Sequence, residues 1–299
     1  MRPVPALSDL SVTEFLTLNR IGFLPHGLVV GASVFEADTR GSAGSVDLLA
    51  ALFGGGPVYQ PGPTQEVTML SEAVRAARAL SIERMRQQAT IMGAEGVVGV
   101  RLDVEHHLWR GNHQVVKFIA VGTAIGHDRE QGPVELRQAP SLRLANGAPF
   151  TSDLSGQDFV AIVQAGYRPI TVASGTCVYQ LNLQEMAPFR GYNAEIPGYT
   201  RAFFDARETA MARLQYDLFS WWPPGHPDAP TGIVGMTVSE AAHRPQTIGG
   251  PARNALSVGS TSPVVEFTAV GTAIAPLAPK DPRRVTTPVK PLVVVPLDR

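Results

Sequence analysis

Hydrophobic positions recur along this chain with two periods, one helical and one extended. Val67, Leu70, Val74, Ala77, Met85, Ala89 and Met92 are spaced by threes, fours or their multiples. That spacing puts them on one helical face and predicts a helix from about Thr64 to Met92, stopped by Gly93. Arg75, Arg78, Glu83, Arg84 and Arg86 fall mostly off the stripe. Tyr199, Phe203, Ala206, Ala210 and Leu214 repeat it on what reads as a shorter helix, ended by Trp221-Trp222-Pro223-Pro224. Ser11-x-x-Glu14 and Ser155-x-x-Asp158 each open a short capped helix that stops before Gly22 or Gly166. Gly27 to Phe35 and Ile170 to Tyr179 predict strands.

The chain spells one stretch twice. Val115 to Ile125 returns as Val264 to Ile274 with only Lys117/Glu266 and Ile119/Thr268 differing. Further upstream, Ser8-Asp9-Leu10-Ser11 matches Ser152-Asp153-Leu154-Ser155, an offset of 144 that also aligns Phe15 with Phe159, Gly22 with Gly166 and Gly31 with Gly175. Internal repetition on this scale predicts two copies of one module. Each copy reads as helix–strand–helix–strand–strand, an α+β unit closed by an antiparallel hairpin. The expected division is module 1 at 1–130, a linker at 131–150, module 2 at 151–275 and a Pro-rich tail at 276–299.

In the first hairpin, Val97 to Val104 runs on to Trp109, turns at Gly111-Asn112 and returns as the repeated stretch. With that turn Arg110 faces His113 and opposed positions sum to 223. One face then carries Val98, Val100, Leu102 and Val104 with Ile119 and Val121, and the other carries Val116, Phe118 and Ala120. A return strand apolar on both sides, in a module with one long helix, needs cover from elsewhere. Val116, Phe118 and Ala120, with Val265, Phe267 and Ala269 in the second copy, are therefore the candidate oligomer interface.

Composition narrows the classes. Charged residues are 17% of the 299 and the net charge is −1, without the basic field that nucleic acid or an anionic membrane surface requires. One cysteine, Cys177, excludes an intrachain disulfide framework and fits a reducing, cytoplasmic setting. No signal peptide and no apolar run long enough to span a bilayer is evident. Gly54-Gly55-Gly56-Pro57 reads as a hinge, since the Lys-Ser/Thr of a phosphate loop is missing. In the tail, Leu292-Val293-Val294-Val295 is the expected docking segment, as an added edge strand or in an apolar groove of its own or a neighbouring chain.

The run from Ala77-Arg78 to Met85, then Met92-Gly93-Ala94-Glu95-Gly96-Val97-Val98-Gly99-Val100-Arg101-Leu102-Asp103, then Ala120-Val121-Gly122-Thr123-Ala124, resembles the YbjQ-like family, whose usual label is heavy-metal binding. The likeness covers about Gly22 to Gly126, and the second half is a divergent copy. It implies a small α+β fold that forms a homo-oligomer, typically a pentameric ring. Two modules per chain then mean either two stacked five-module rings, the favoured arrangement, or one ring of even module count.

The chemistry of a transition metal such as zinc or copper asks for converging thiolates or imidazoles. His106, His107 and His113 form the only cluster, with Cys177, His26, His127, His226 and His243 scattered. In the expected register His106 and His113 share a face but stand roughly 13 Å apart. A solvated hairpin tip is the plainer reading of the three, and a small buried residue that of Cys177. There is no Gly-x-Ser-x-Gly and no His-Glu-x-x-His, so no catalytic residue is assigned. Three readings follow in order: a non-enzymatic ring- or scaffold-forming homo-oligomer, a metal-binding or metal-sequestering protein, and a small-ligand binder in a cleft between modules.

Overall fold

A computed structural model describes residues 6–37, 64–109, 113–127, 141–181, 195–243 and 264–277. In chain order its elements are α1 (Val12–Arg20), β1 (Phe23–Ala37), β2 (Gln65–Glu66), α2 (Thr68–Ile91), β3 (Gly96–Trp109), β4 (His113–His127), β5 (Phe150–Thr151), α3 (Gly156–Gln164), β6 (Tyr167–Gln180), α4 (Pro197–Trp221), β7 (Gly232–His243) and β8 (Val264–Pro276). The fold is α+β, and both halves run helix, long strand, long helix, hairpin. The Gly54–Pro57 hinge, the Gly111-Asn112 turn and the Leu292–Val295 segment lie outside the described residues.

Local chemistry sets the element ends. Ser11 and Glu14 form a complete capping box on α1, and the Ser155 hydroxyl accepts from the Asp158 N–H on α3. Gly22 and Gly166, at φ 78° and 86°, carry the chain out of each short helix through a conformation that side chains disfavour. The second long helix is not the shorter one: α4 has 25 residues and α2 has 24. Ahead of α2, Gln65–Glu66 is a strand rather than the first helical turn, because it pairs with Gln180 and Tyr179.

The strands form two four-stranded sheets, ordered β1-β4-β3-β5 and β2-β6-β8-β7. Each borrows its short edge strand from the other half of the chain. The long pairings repeat down to their irregularities. Pro25/Gly27 in β1 and Pro169/Thr171 in β6 are matching register shifts. Val98/Arg101 and Val234/Thr237 match likewise, around Gly99 at φ 63° and Gly235 at φ 65°.

The hairpin register differs from the expected one by a residue from its turn end onward. Trp109, not Arg110, faces His113, and opposed positions sum to 222 up to Arg101↔Val121. A one-residue slip exchanges the faces of a strand. Leu102 and Val104 therefore stand opposite Ala120 and Phe118. Val98 and Val100 part company across the bulge: Val98 packs with Leu18, Phe23 and Phe150, and Val100 with Val29, Met85 and Ala120.

The sheets and long helices stack in four layers: sheet one, α2, sheet two, α4. Helix α2 presses on sheet one so closely that a Cβ on Gly31 would overlap the Ser81 carbonyl, and the Ser33 hydroxyl donates to Ala77 O at 2.5 Å. Helix α4 presses on sheet two in the same way, with Gly175 under the Ala210 carbonyl. The second side of α2 meets the outer face of sheet two, where Val172 packs among Ile82 and Met85 and Val178 beside Leu70 and Val74. Core burial thus joins the halves.

Candidate assembly interface

The surface between α2 and sheet two is built around a buried cation. Arg78, which the pattern sets off the apolar stripe, is only 3% exposed. Its Nη1 donates to Thr176 Oγ1 at 2.7 Å and its Nη2 to Thr268 Oγ1 at 3.4 Å, while the guanidinium lies 5.2 Å from the centre of the Phe118 ring. Burial brings its pKa down to about 10, and the nearby Glu266 carboxylate opposes that fall. Further along α2, the Val178 N–H donates to Ser71 Oγ at 2.9 Å and Arg86 Nη2 donates to Thr171 Oγ1 at 3.1 Å.

Glu266 and Thr268 are the two positions at which the repeated stretch differs from its first copy. The first copy has Lys117 and Ile119 there, on the outer face of sheet one. Sequence difference within the repeat therefore coincides with the contact to α2, a signal that comparing the two copies could have supplied.

Matching the halves residue by residue shows which surfaces are used once and left open once. On sheet two the positions Val172 and Val178 are buried under α2; their counterparts on sheet one, Leu28 and Val34, are 38% and 61% exposed. Val30 at 39% continues that apolar strip. The inner stripes of the helices align as Ala77/Ala206, Met85/Leu214 and Ala89/Leu218, all buried. By that alignment the counterpart of buried Arg78 is exposed Arg207, flanked on the outward side of α4 by Phe204 and Phe219 at 54% and 58% exposure. One end of the stack thus presents an apolar sheet and the other an aromatic-studded helix.

The sequence-based interface residues sit elsewhere. Val116, Phe118 and Ala120, with Val265, Phe267 and Ala269, are all at most 2% exposed and packed in the chain's own cores under α2 and α4. They supply no open surface: the cover they require comes from the chain itself.

The side chains of His106, His107 and His113, the candidate metal ligands, lie outside the described residues. Backbone pairing sets His106 opposite Val116 and His107 opposite Val115, so positions 107 and 113, not 106 and 113, fall on one side of the hairpin. Among the described residues no group of three His, Cys, Asp or Glu is placed to hold a metal ion. The Cys177 thiol is pushed up to about 12, first by burial and then by the Glu66 carboxylate, so it remains protonated and a poor metal ligand. His26 Nδ1 lies 3.1 Å from Met92 O, and His226 Nδ1 accepts from the Asp228 N–H at 3.0 Å.

Where α2 and α4 pass on opposite sides of strand β6, they leave a cleft of about 640 Å³. Ala79, Ile82, Arg86, Val172, Leu218 and Trp222 are among its walls. Arg75 bridges its mouth to Asp217 at 3.2 Å. Trp221 and Trp222 pack edge to face beside it, Trp221 remaining 58% exposed. Among the described residues no helix is long and apolar enough to cross a membrane.

Two comparisons relate the chain to known proteins. Residues 63–127, from the strand before α2 to the end of β4, match the YbjQ family, described as "Putative heavy-metal-binding". The chain is also similar to the "Encapsulin nanocompartment protein Rv1762c" of Mycobacterium tuberculosis (strain ATCC 25618 / H37Rv). The two are 35% identical over 232 residues, covering 77% of this chain and 76% of that protein. The chain carries a YbjQ-like segment at residues 63–127 and belongs to the same family as this mycobacterial protein.

Proposed function

We propose that this protein is a non-enzymatic structural subunit that assembles head to tail with copies of itself, the outward face of α4 on one copy docking on the outer face of sheet one of the next. The observation that carries this reading is the contact of α2 with sheet two. It is a heterologous contact between two like modules, and its two component surfaces recur, exposed, at opposite ends of the chain. A heterologous contact repeated by rotation gives a ring when the rotation closes and an open filament when it does not, and a closed compartment subunit fits the ring. The relative's description as a nanocompartment protein supports a subunit role of this kind.

Both halves take part in one stack, so a ring built this way has an even number of modules. That favours one ring with two modules per chain over the two stacked five-module rings suggested by the resemblance. Charge is redistributed at the proposed contact: Arg207 takes the place of Arg78, and Glu105, which accepts from Lys117 Nζ at 3.1 Å on the neighbouring strand, provides the acid in place of Glu266. Placing a lysine in the apolar strip, as Val34→Lys, should dissociate the particle while leaving the subunit folded. Sedimentation velocity with circular dichroism on the same sample checks both. An unchanged particle would remove the sheet-one face from the interface.

The cleft beside β6 supports a second reading, as a site for a small apolar ligand, because its volume falls in the usual range for such sites. Ala79→Trp should fill it and abolish uptake of an environment-sensitive dye without changing particle mass.

A further inference from the structure

Within the chain, the start of the second half is held by the first. Phe150–Thr151 runs parallel to Gly96–Val97 on the outer edge of β3, and the backbone bonds continue: Ser152 N–H to Val97 O at 2.9 Å, Val100 N–H to Ser152 O at 2.9 Å, and Gly99 N–H to Leu154 O at 2.9 Å. Behind this segment α3 seats Phe159 against Phe23 and Phe150, with ring centres 5.3 and 5.5 Å away. The edge of β3 is thereby closed, which an exposed strand edge requires if it is not to recruit another chain at random.

The first half carries the same Ser-Asp-Leu-Ser at Ser8–Ser11; Leu10 packs against the Leu18 and Phe23 core and Asp9 accepts from Arg101, but among the described residues no strand edge pairs with this segment. Leu7, the counterpart of Thr151, is 75% exposed where Thr151 is 0%. Phe15 is 37% exposed against 0% for Phe159, and Leu16 51% against 4% for Val160. Asp9 repeats the local anchor, its N–H donating to Thr123 Oγ1 at 3.1 Å as Asp153 N–H donates to Thr272 Oγ1 at 3.0 Å. The arm is thus positioned like its counterpart, yet among the described residues it has no strand to join. At the other end, β7 repeats β3 down to the glycine bulge, but Gly232, Gly235 and Met236 stand exposed or half-exposed where Gly96 to Val100 are covered.

We infer that residues 6–16 of one copy dock on the preceding copy: Ala6–Leu10 add as a short parallel strand to the open edge of its β7, and Phe15 and Leu16 of α1 cover the end of its sheet two. The occupant is a second copy of this chain, because the arm and the edge are the two missing members of a pairing already made once inside it. The main-chain bonds bring affinity and the glycine bulge sets the register. This rests on the head-to-tail reading and adds a strand exchange that the contact of α4 with sheet one does not itself require.

The test mixes two single variants, Leu7→Cys and Ile233→Cys, chosen because their counterparts Thr151 and Val97 are register partners. Facing residues on paired strands lie within the Cα separation a disulfide spans. Buried Cys177 should stay silent. After co-assembly and mild oxidation, a covalent dimer that forms from the mixture and from neither variant alone supports the inference. A particle of full mass with no such dimer overturns the arm exchange and leaves the α4-to-sheet-one contact standing. Chains of monomer mass that do not cross-link overturn both. Native mass on each variant before mixing separates these outcomes from misassembly.

Discussion

Arg78 shows how far a single residue can depart from its pattern. A cation at the edge of a helical stripe is ordinarily solvated, and here it is the centre of a buried polar contact because a second sheet lies where solvent is expected. The contacts that hold it, Thr176, Thr268 and the charge of Glu266, come from strands about a hundred or more positions away, and no local spacing reveals them. Removing one member leaves the other charge buried, so Arg78→Met should cost about 3–5 kcal/mol in denaturant melts. The double change Arg78→Met with Glu266→Gln should be much milder, and a double-mutant cycle reads the difference. Glu14 offers a pH test. Partial burial raises its pKa, but this is outweighed by hydrogen bonds from the Ser11 side chain and from the Ser11 and Gly156 N–H groups, so the net shift is downward. A carboxylate whose folded pKa is depressed stabilises fully above its unfolded range and loses that contribution as pH falls through the folded value. Glu14→Gln should therefore be less stable than the native chain at neutral pH by about 1 kcal/mol, a cap-sized effect, and the gap should close in acid. Thermal melts across pH would show it.

At the level of elements, most of the fold was legible. Capping pairs, helical stripes and alternating strands each rest on contacts a few residues apart, and the repeated stretch linked the halves. The hairpin register was not legible, because the paired ends Trp109 and His113 leave three positions between them where two were expected, and the further shift at Gly99 is a bulge that nothing in an alternating apolar run marks. Misplaced parity also moved the expected histidine pairing from positions 107 and 113 to 106 and 113. The interface candidates on β4 and β8 followed a sound physical premise, that a strand apolar on both sides needs two covers. For β8 the second cover is α2 of the same chain. Gly31 and Gly175 test the close helix-on-sheet contact directly. An alanine at either must push the helix carbonyl away, so each change should cost about 1–3 kcal/mol by overpacking. Equal losses at the two sites, read by chemical denaturation, would bear out the structural equivalence of the halves.

Among the described residues the molecule is an open stack, and the two surfaces of its internal contact recur, exposed, at its ends. The apolar strip of Leu28, Val30 and Val34 and the outward Phe204 and Phe219 of α4 are too far apart to satisfy each other within one chain, since α2 and sheet two lie between them. How the halves meet could not be read from their similarity; only the two mismatches in the repeated stretch hinted at it. The native mass of the purified full-length protein tests the central claim most directly. Head-to-tail closure predicts one dominant species at a whole-number multiple, two or more, of the 31.9 kDa chain, reduced towards a single chain by Val34→Lys. A native protein that stays at 31.9 kDa across micromolar concentrations would contradict it.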